Sequence, residues 1–118
     1  HVEKYTKFKK EAEREDMFFP LRIEAYFYAA FHLIDAVCSL SGVHLTRHQD
    51  VRKTLEKHKE MLYEKTDEVW KRFQELENRI RPGQVYGGRL DPEALARTQE
   101  IVSGIEELLL PEVRRAEA

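Results

Sequence analysis

Tyr26-Phe27-Tyr28-Ala29-Ala30-Phe31-His32-Leu33-Ile34-Asp35-Ala36-Val37 is an unusually apolar run in a chain of which 36% of residues are charged. A helix apolar on most sides has to sit at the centre of a bundle, because no single partner covers all of it. The run is not expected to cross a membrane. Arg22, Glu24, His32 and Asp35 interrupt it and leave it short of the roughly 20 apolar residues a span requires.

The chain has 118 residues, room for one domain (core residues 2–110, frayed tail 111–118) able to bury its core without staples. A formal net charge of -2 lacks the basic excess of a nonspecific DNA binder, and sequence-specific DNA binding is not expected either. Cys38, the single cysteine, excludes an internal disulfide framework and reads as a small buried hydrophobe, consistent with a reducing cytoplasm. The Lys/Glu-rich N-terminus does not look like a signal peptide.

Strand-like alternation and internal repeats are absent from the sequence, so an all-α, up-and-down antiparallel bundle of four to five helices is predicted. The first helix covers Val2 to Phe19, with Tyr5, Phe8 and Ala12 on a thinly apolar face. The second opens near Pro20 and stops at Leu40, before Gly42. Thr46-Arg47-His48-Gln49 has the form of a capping box and predicts a helix start at Thr46. Val51, Leu55, His58 and Leu62 then share a face, and Val69, Phe73, Leu76 and Ile80 form a second series. Either one helix spans Thr46 to Ile80 or a break falls between Lys59 and Asp67. Base rates favour the break, and Lys65-Thr66-Asp67 offers a new N-cap. Arg81-Pro82-Gly83 is expected to end that helix, with Gly87-Gly88 extending the loop. Asp91-Pro92 should open the last helix, which buries Leu95, Ile101, Val102, Ile105, Leu108 and Leu109 and ends at Pro111.

Three segments, in this order and spacing, resemble the HEPN superfamily of small helical bundles. They are Tyr26-x-Tyr28-Ala29-Ala30-Phe31-His32-x-x-x-Ala36, Gly42-x-His44-x-x-x-His48-x-x-Val51, and Leu76-x-x-Arg79-x-Arg81-Pro82-Gly83-Gln84-Val85-Tyr86-Gly87. The likeness covers residues 20 to 110. It implies a module that works beside a minimal nucleotidyltransferase, as in prokaryotic toxin–antitoxin pairs. Separately, the second helix is more apolar than a thin bundle with so weak a first helix needs, which predicts a homodimer seam. Active members of that family carry Arg, four to six residues, then His, for metal-independent RNA cleavage. Here four residues separate Arg79 from Gln84, and four separate Arg81 from Tyr86. Gln cannot act as a base near neutral pH, so the resemblance is to the non-catalytic branch. A displaced match, Arg52 with His58, would diverge by about 120° on a continuous helix.

Candidate nucleotide- or RNA-binding residues are therefore His44, Arg47, His48, Arg52, Arg79, Arg81 and Tyr86. The helix start at Thr46 offers free amides to an anion, and Arg52 and His58 stand as the only catalytic candidates. No metal or cofactor is expected, because the His44/His48 region lacks a converging carboxylate. His32 and Asp35 share a helical face; rather than an acid/base pair or a ligand set, they read as a core hydrogen bond or as a pairing with Arg22 or another helix. Arg79, Arg81 and Tyr86 read equally as a remnant nucleotide or RNA groove and as a packed tyrosine with the arginines paired to Glu75 or Glu77. The leading expectation is a binding or interaction module. The alternatives are a metal-independent endoribonuclease toxin and a plain oligomerisation domain.

Overall fold

In the computed structural model, which describes residues 2–86 and 91–117 (the side chains of Val85, Tyr86 and Glu117 excepted), the chain is an all-α bundle. Its helices are α1 (Val2–Ala12), α2 (Phe19–Leu40), α3 (Val51–Lys57), α4 (Thr66–Glu75) and α5 (Pro92–Glu117). No strand occurs among the described residues.

Helix α2 is the axis of the fold. Of its 22 residues 13 are buried, on every side of the helix, and α1 and α5 make the most extensive contacts with it. By length and composition this helix could cross a membrane, so charge interruptions alone do not settle the matter; its burial inside the bundle accounts for its apolarity. Helix α1 covers α2 better than its thin apolar face suggests. Ala12 is fully buried, and its small side chain lets the two helices approach closely. Tyr5 donates its hydroxyl to Glu106 of α5, and Lys9 pairs with the same carboxylate. The apolar excess of α2 is thus largely absorbed within the chain.

Helix α1 stops at Ala12 rather than Phe19. Arg22 of α2 donates Nε–H to the Ala12 carbonyl at 2.8 Å and caps that end. The following Arg14 pairs with Glu11 and Asp16 in solvent, and that stretch offers little to bury. The capping box at Thr46 does not form either. Arg47 is extended (φ -134°, ψ 140°), and a 3₁₀ turn, His48–Asp50, leads into α3 with no side-chain cap. A tertiary competitor explains this: the buried Asp35 carboxylate of α2 accepts the Leu45 N–H at 2.8 Å and fixes the approach of the chain.

The expected break is present. His58 (φ -123°, ψ 53°) leaves the helix, and two 3₁₀ turns, Lys59–Met61 and Tyr63–Lys65, connect to α4. Thr66 opens α4 but its hydroxyl donates backwards to the Tyr63 carbonyl at 2.8 Å, so it is no N-cap. Arg81-Pro82-Gly83 does not end the helix. The chain widens into π-helical turns at Leu76–Ile80 and Pro82–Tyr86, a register that carries it past the missing Pro82 amide. Gly87 and Gly88 lie outside the described residues.

Asp91 caps α5 as its sequence implies: its side chain accepts the Glu93 N–H at 3.0 Å and its carbonyl the Ala94 N–H at 3.0 Å. Ile101, Val102, Ile105 and Leu109 are buried, with Leu95 and Leu108 at the margin. Helix α5 runs through Pro111 to Glu117 instead of ending at the proline. Val113 is buried, and Lys65 donates to the Leu108 carbonyl and pairs with Glu112, fastening the turn around the proline.

Candidate anion-binding groove

One face of α3 and the connection before it form a groove of about 410 Å³. Asp50, Lys53, Thr54, Lys57 and His58 recur at helical spacing and line one wall; Val43, His44, Leu45, Thr46 and Arg47 line the other. The opposite face of α3 packs Val51 and Leu55 into the core, so the polar stripe has to point away from it. Asp35 positions the far wall through Leu45, and Ser39 meets His44 Nδ1 at 3.2 Å.

The charge of this groove contrasts with the mild acidity of the whole chain. Arg47, Lys53 and Lys57 supply three permanent cations against one carboxylate, Asp50. Arg47 hydrogen-bonds Asp50 at 3.2 Å and holds it below the usual carboxylate range. Lys53 and Lys57 have no ion-pair partner among the described residues, which leaves both ammonium groups available to an anion. The histidines add two imidazoles. His58 is half-buried and meets Glu60 at 3.2 Å.

The sequence-derived candidates divide. His44, Arg47 and His58 share the groove. Arg52 does not: it pairs with Glu56 at 3.0 Å and lies over the Trp70 ring at 5.9 Å, toward α4. Arg52 and His58 are therefore not brought together in this groove. No helix starts at Thr46, and α3 begins only at Val51 and is short, so the expected helix-terminal anion site does not form there. Lys53 and Lys57 were not singled out from sequence, although the 50-53-54-57-58 spacing of polar residues carries the signal.

His48 and Arg81 meet elsewhere, around Phe27 of α2. His48 Nδ1 lies 2.7 Å from Glu77, and its ring edge faces Phe27 at 5.1 Å between centroids. Arg81 is buried, makes a two-pronged pair with Glu24 at 2.9 and 2.7 Å, and stacks 3.8 Å over the same ring. The expected partners of the arginines are thus displaced: Glu77 serves His48, and Glu75 serves Arg97. Arg79 is exposed. Gln84 is buried and accepts the Asp91 N–H at 2.8 Å, a structural use of its side chain. The Tyr86 side chain lies outside the described residues.

His32 and Asp35 do not bond each other. His32 stacks on Phe8, its Nδ1 is buried without a hydrogen-bond partner among the described residues, and burial lowers its pKa. Cys38 is buried as expected, and burial pushes its thiol up to about 12. Among the described residues no three His, Cys, Asp or Glu side chains stand together as a metal site. A second cavity of about 360 Å³ on α5, lined by Ser103, Glu106, Glu107 and Arg114, has no cationic excess.

No family model, curated protein or solved structure matches this chain.

Proposed function

We propose that this chain is a HEPN-like binding module that holds the phosphates of RNA or of a nucleotide in the α3 groove. The observation that carries the reading is the pair of lysines, Lys53 and Lys57, that form no ion pair among the described residues, set beside Arg47, His44 and His58 in a chain of net charge -2. Phosphate contacts from Lys and Arg supply most of the sequence-independent affinity for nucleic acid. The absence of a histidine at Gln84, and its structural hydrogen bond to Asp91, supports a non-catalytic module. On the resemblance, its partner is a minimal nucleotidyltransferase; its assembly is a homodimer in the cytoplasm. Phe18 and Leu21, exposed together at the start of α2, support self-association.

The test is fluorescence anisotropy of a labelled single-stranded RNA with EDTA present. Wild type should bind the strand and leave it intact, and Lys53→Glu/Lys57→Glu should abolish binding while the far-UV spectrum is kept. Equal binding by that variant would remove the groove from the account.

The rival reading, a metal-independent endoribonuclease toxin, draws support from Arg47, His44 and His58 sharing one groove. Arg52 would reach His58 only from a second protomer or across the break. RNA cleavage lost on His44→Ala or His58→Ala would establish that rival.

A further inference from the structure

Tyr63 is the most exposed large hydrophobic residue described, at 73%, and it stands in the turn between α3 and α4. Its backbone is left-handed, with φ 51°, the only positive φ of a non-glycine residue among those described. An aromatic residue there is strained by crowding of Cβ against the backbone, where glycine or asparagine would sit easily. The turn is nevertheless bolted in place. Leu62 before it is buried, Thr66 after it is buried and donates to the Tyr63 carbonyl, and Lys65 is tied to Leu108 and Glu112 of α5. A rigid, strained turn that holds a ring in solvent gains nothing for the core, and strain of this kind concentrates where a residue is displayed for contact.

The groove lacks what Tyr63 has. Its lining contains no Phe, Tyr or Trp, and its only rings are the small imidazoles of His44 and His58, so it grips phosphate but offers a base no large face to stack on. Single strands are held by cations that follow the backbone together with aromatic faces that stack bases. Tyr63 lies five residues beyond His58, at most about 18 Å along the chain, a reach that a short oligonucleotide covers.

We infer that Tyr63 is a base-stacking platform for a single RNA strand whose phosphates lie in the α3 groove; the inference rests on the binding reading above. Lys57 and His58 would hold the strand where it leaves the groove, and a base beyond them would settle on the Tyr63 ring. Stacking tolerates any base, so the contact adds affinity without sequence preference.

The experiment compares a labelled single-stranded RNA with an abasic sugar-phosphate strand of equal length. Tyr63→Gly should weaken binding of the RNA roughly 5- to 150-fold, the range for one stacked base. It should leave the abasic strand unaffected and the melting temperature unchanged or higher, because glycine relieves the strain. Tyr63→Trp should bind RNA at least as tightly as wild type. Unchanged RNA affinity in Tyr63→Gly would overturn the inference. So would equal losses on both strands with a lowered melting temperature, which would mark Tyr63 as structural. If Lys53→Glu/Lys57→Glu abolishes binding and Tyr63→Gly does not alter it, the inference alone fails. If the charge reversal has no effect, or wild type binds neither strand, the groove reading fails and the inference with it.

Discussion

Arg81 offers the sharpest test of what holds this bundle together. Its side chain is 6% exposed and its partner Glu24 is 20% exposed, so truncating the arginine leaves a carboxylate largely out of water with its two-pronged partner gone. Breaking a buried pair from one side costs about 3–5 kcal/mol. The guanidinium also stacks on Phe27 at 3.8 Å, a contact worth about 2 kcal/mol when desolvated, part of which the same figure already includes. Arg81→Met should therefore lower the unfolding free energy by about 3–5 kcal/mol, and at about 4 °C per kcal/mol the melting temperature by roughly 12–20 °C. Arg81→Lys keeps the charge but loses the fork geometry, and should cost about 1–2 kcal/mol. The decisive variant is Arg81→Met with Glu24→Leu, which removes both charges. Apolar replacement of a whole buried pair is often neutral, so the double variant should recover most of the loss. Urea unfolding followed by circular dichroism measures all of these. A loss below about 1 kcal/mol in Arg81→Met, or a double variant no more stable than the single one, would refute the reasoning.

Three further outcomes are expected. Asp35→Ala strips the Leu45 N–H of its acceptor and should cost about 1–3 kcal/mol, with Asp35→Asn milder because it keeps an oxygen there; equal losses in urea unfolding would show that the charge matters rather than the acceptor. Burial, then Lys4, lowers the His32 pKa below its ordinary 6.5, opposed by Asp35. The unfolded chain then binds the proton more readily, so stability is full above about pH 6.5 and is lost as pH falls from there through the lower folded value. Denaturant titrations of His32→Phe should show a shallower fall across that window, and an unchanged slope would count against the assignment. A Cβ on Gly104 would meet the Arg72 guanidinium at 2.3 Å, but that is the movable end of a long side chain in a part-exposed pair with Glu68. The helix gains about 1 kcal/mol from alanine and loses at most a few tenths from that pair, so Gly104→Ala should stabilise by about 0.5 kcal/mol in thermal unfolding; a loss above 1 kcal/mol would mean that Arg72 cannot move.

Burial patterns explain which parts of the fold were readable from sequence. Helix α2 is apolar on every side and α5 carries a continuous stripe behind an Asp-Pro start, so both announce themselves locally. The break after α3 was readable because two apolar series there compete with the rarity of a 35-residue helix. Other features depend on distant groups. The Thr46 cap loses to Asp35, which sits on another helix, and α1 ends where Arg22 caps it. Proline misleads at both Pro82 and Pro111: π-helical widening absorbs the first, and Lys65 with Val113 secures the turn around the second. The candidate site was half legible. His44 and Arg47 stand out as neighbouring polar residue types and His58 as a spaced match to Arg52, but which of them share a groove depends on how residues 43–47 fold against α3. Arg52 and Arg81 fell outside it because their neighbours, Glu56 with Trp70 and Glu24 with Phe27, claim them.

The most direct test of the central claim is the salt dependence of RNA binding. Each cation that neutralises a phosphate of a single strand contributes about 0.7 to the slope of log K against log salt. Lys53→Ala/Lys57→Ala should therefore flatten that slope by about 1.4 while Arg52→Ala, outside the groove, leaves it unchanged. A slope that survives the double alanine change, or that falls with Arg52→Ala instead, would contradict the assignment of the phosphate site to this groove.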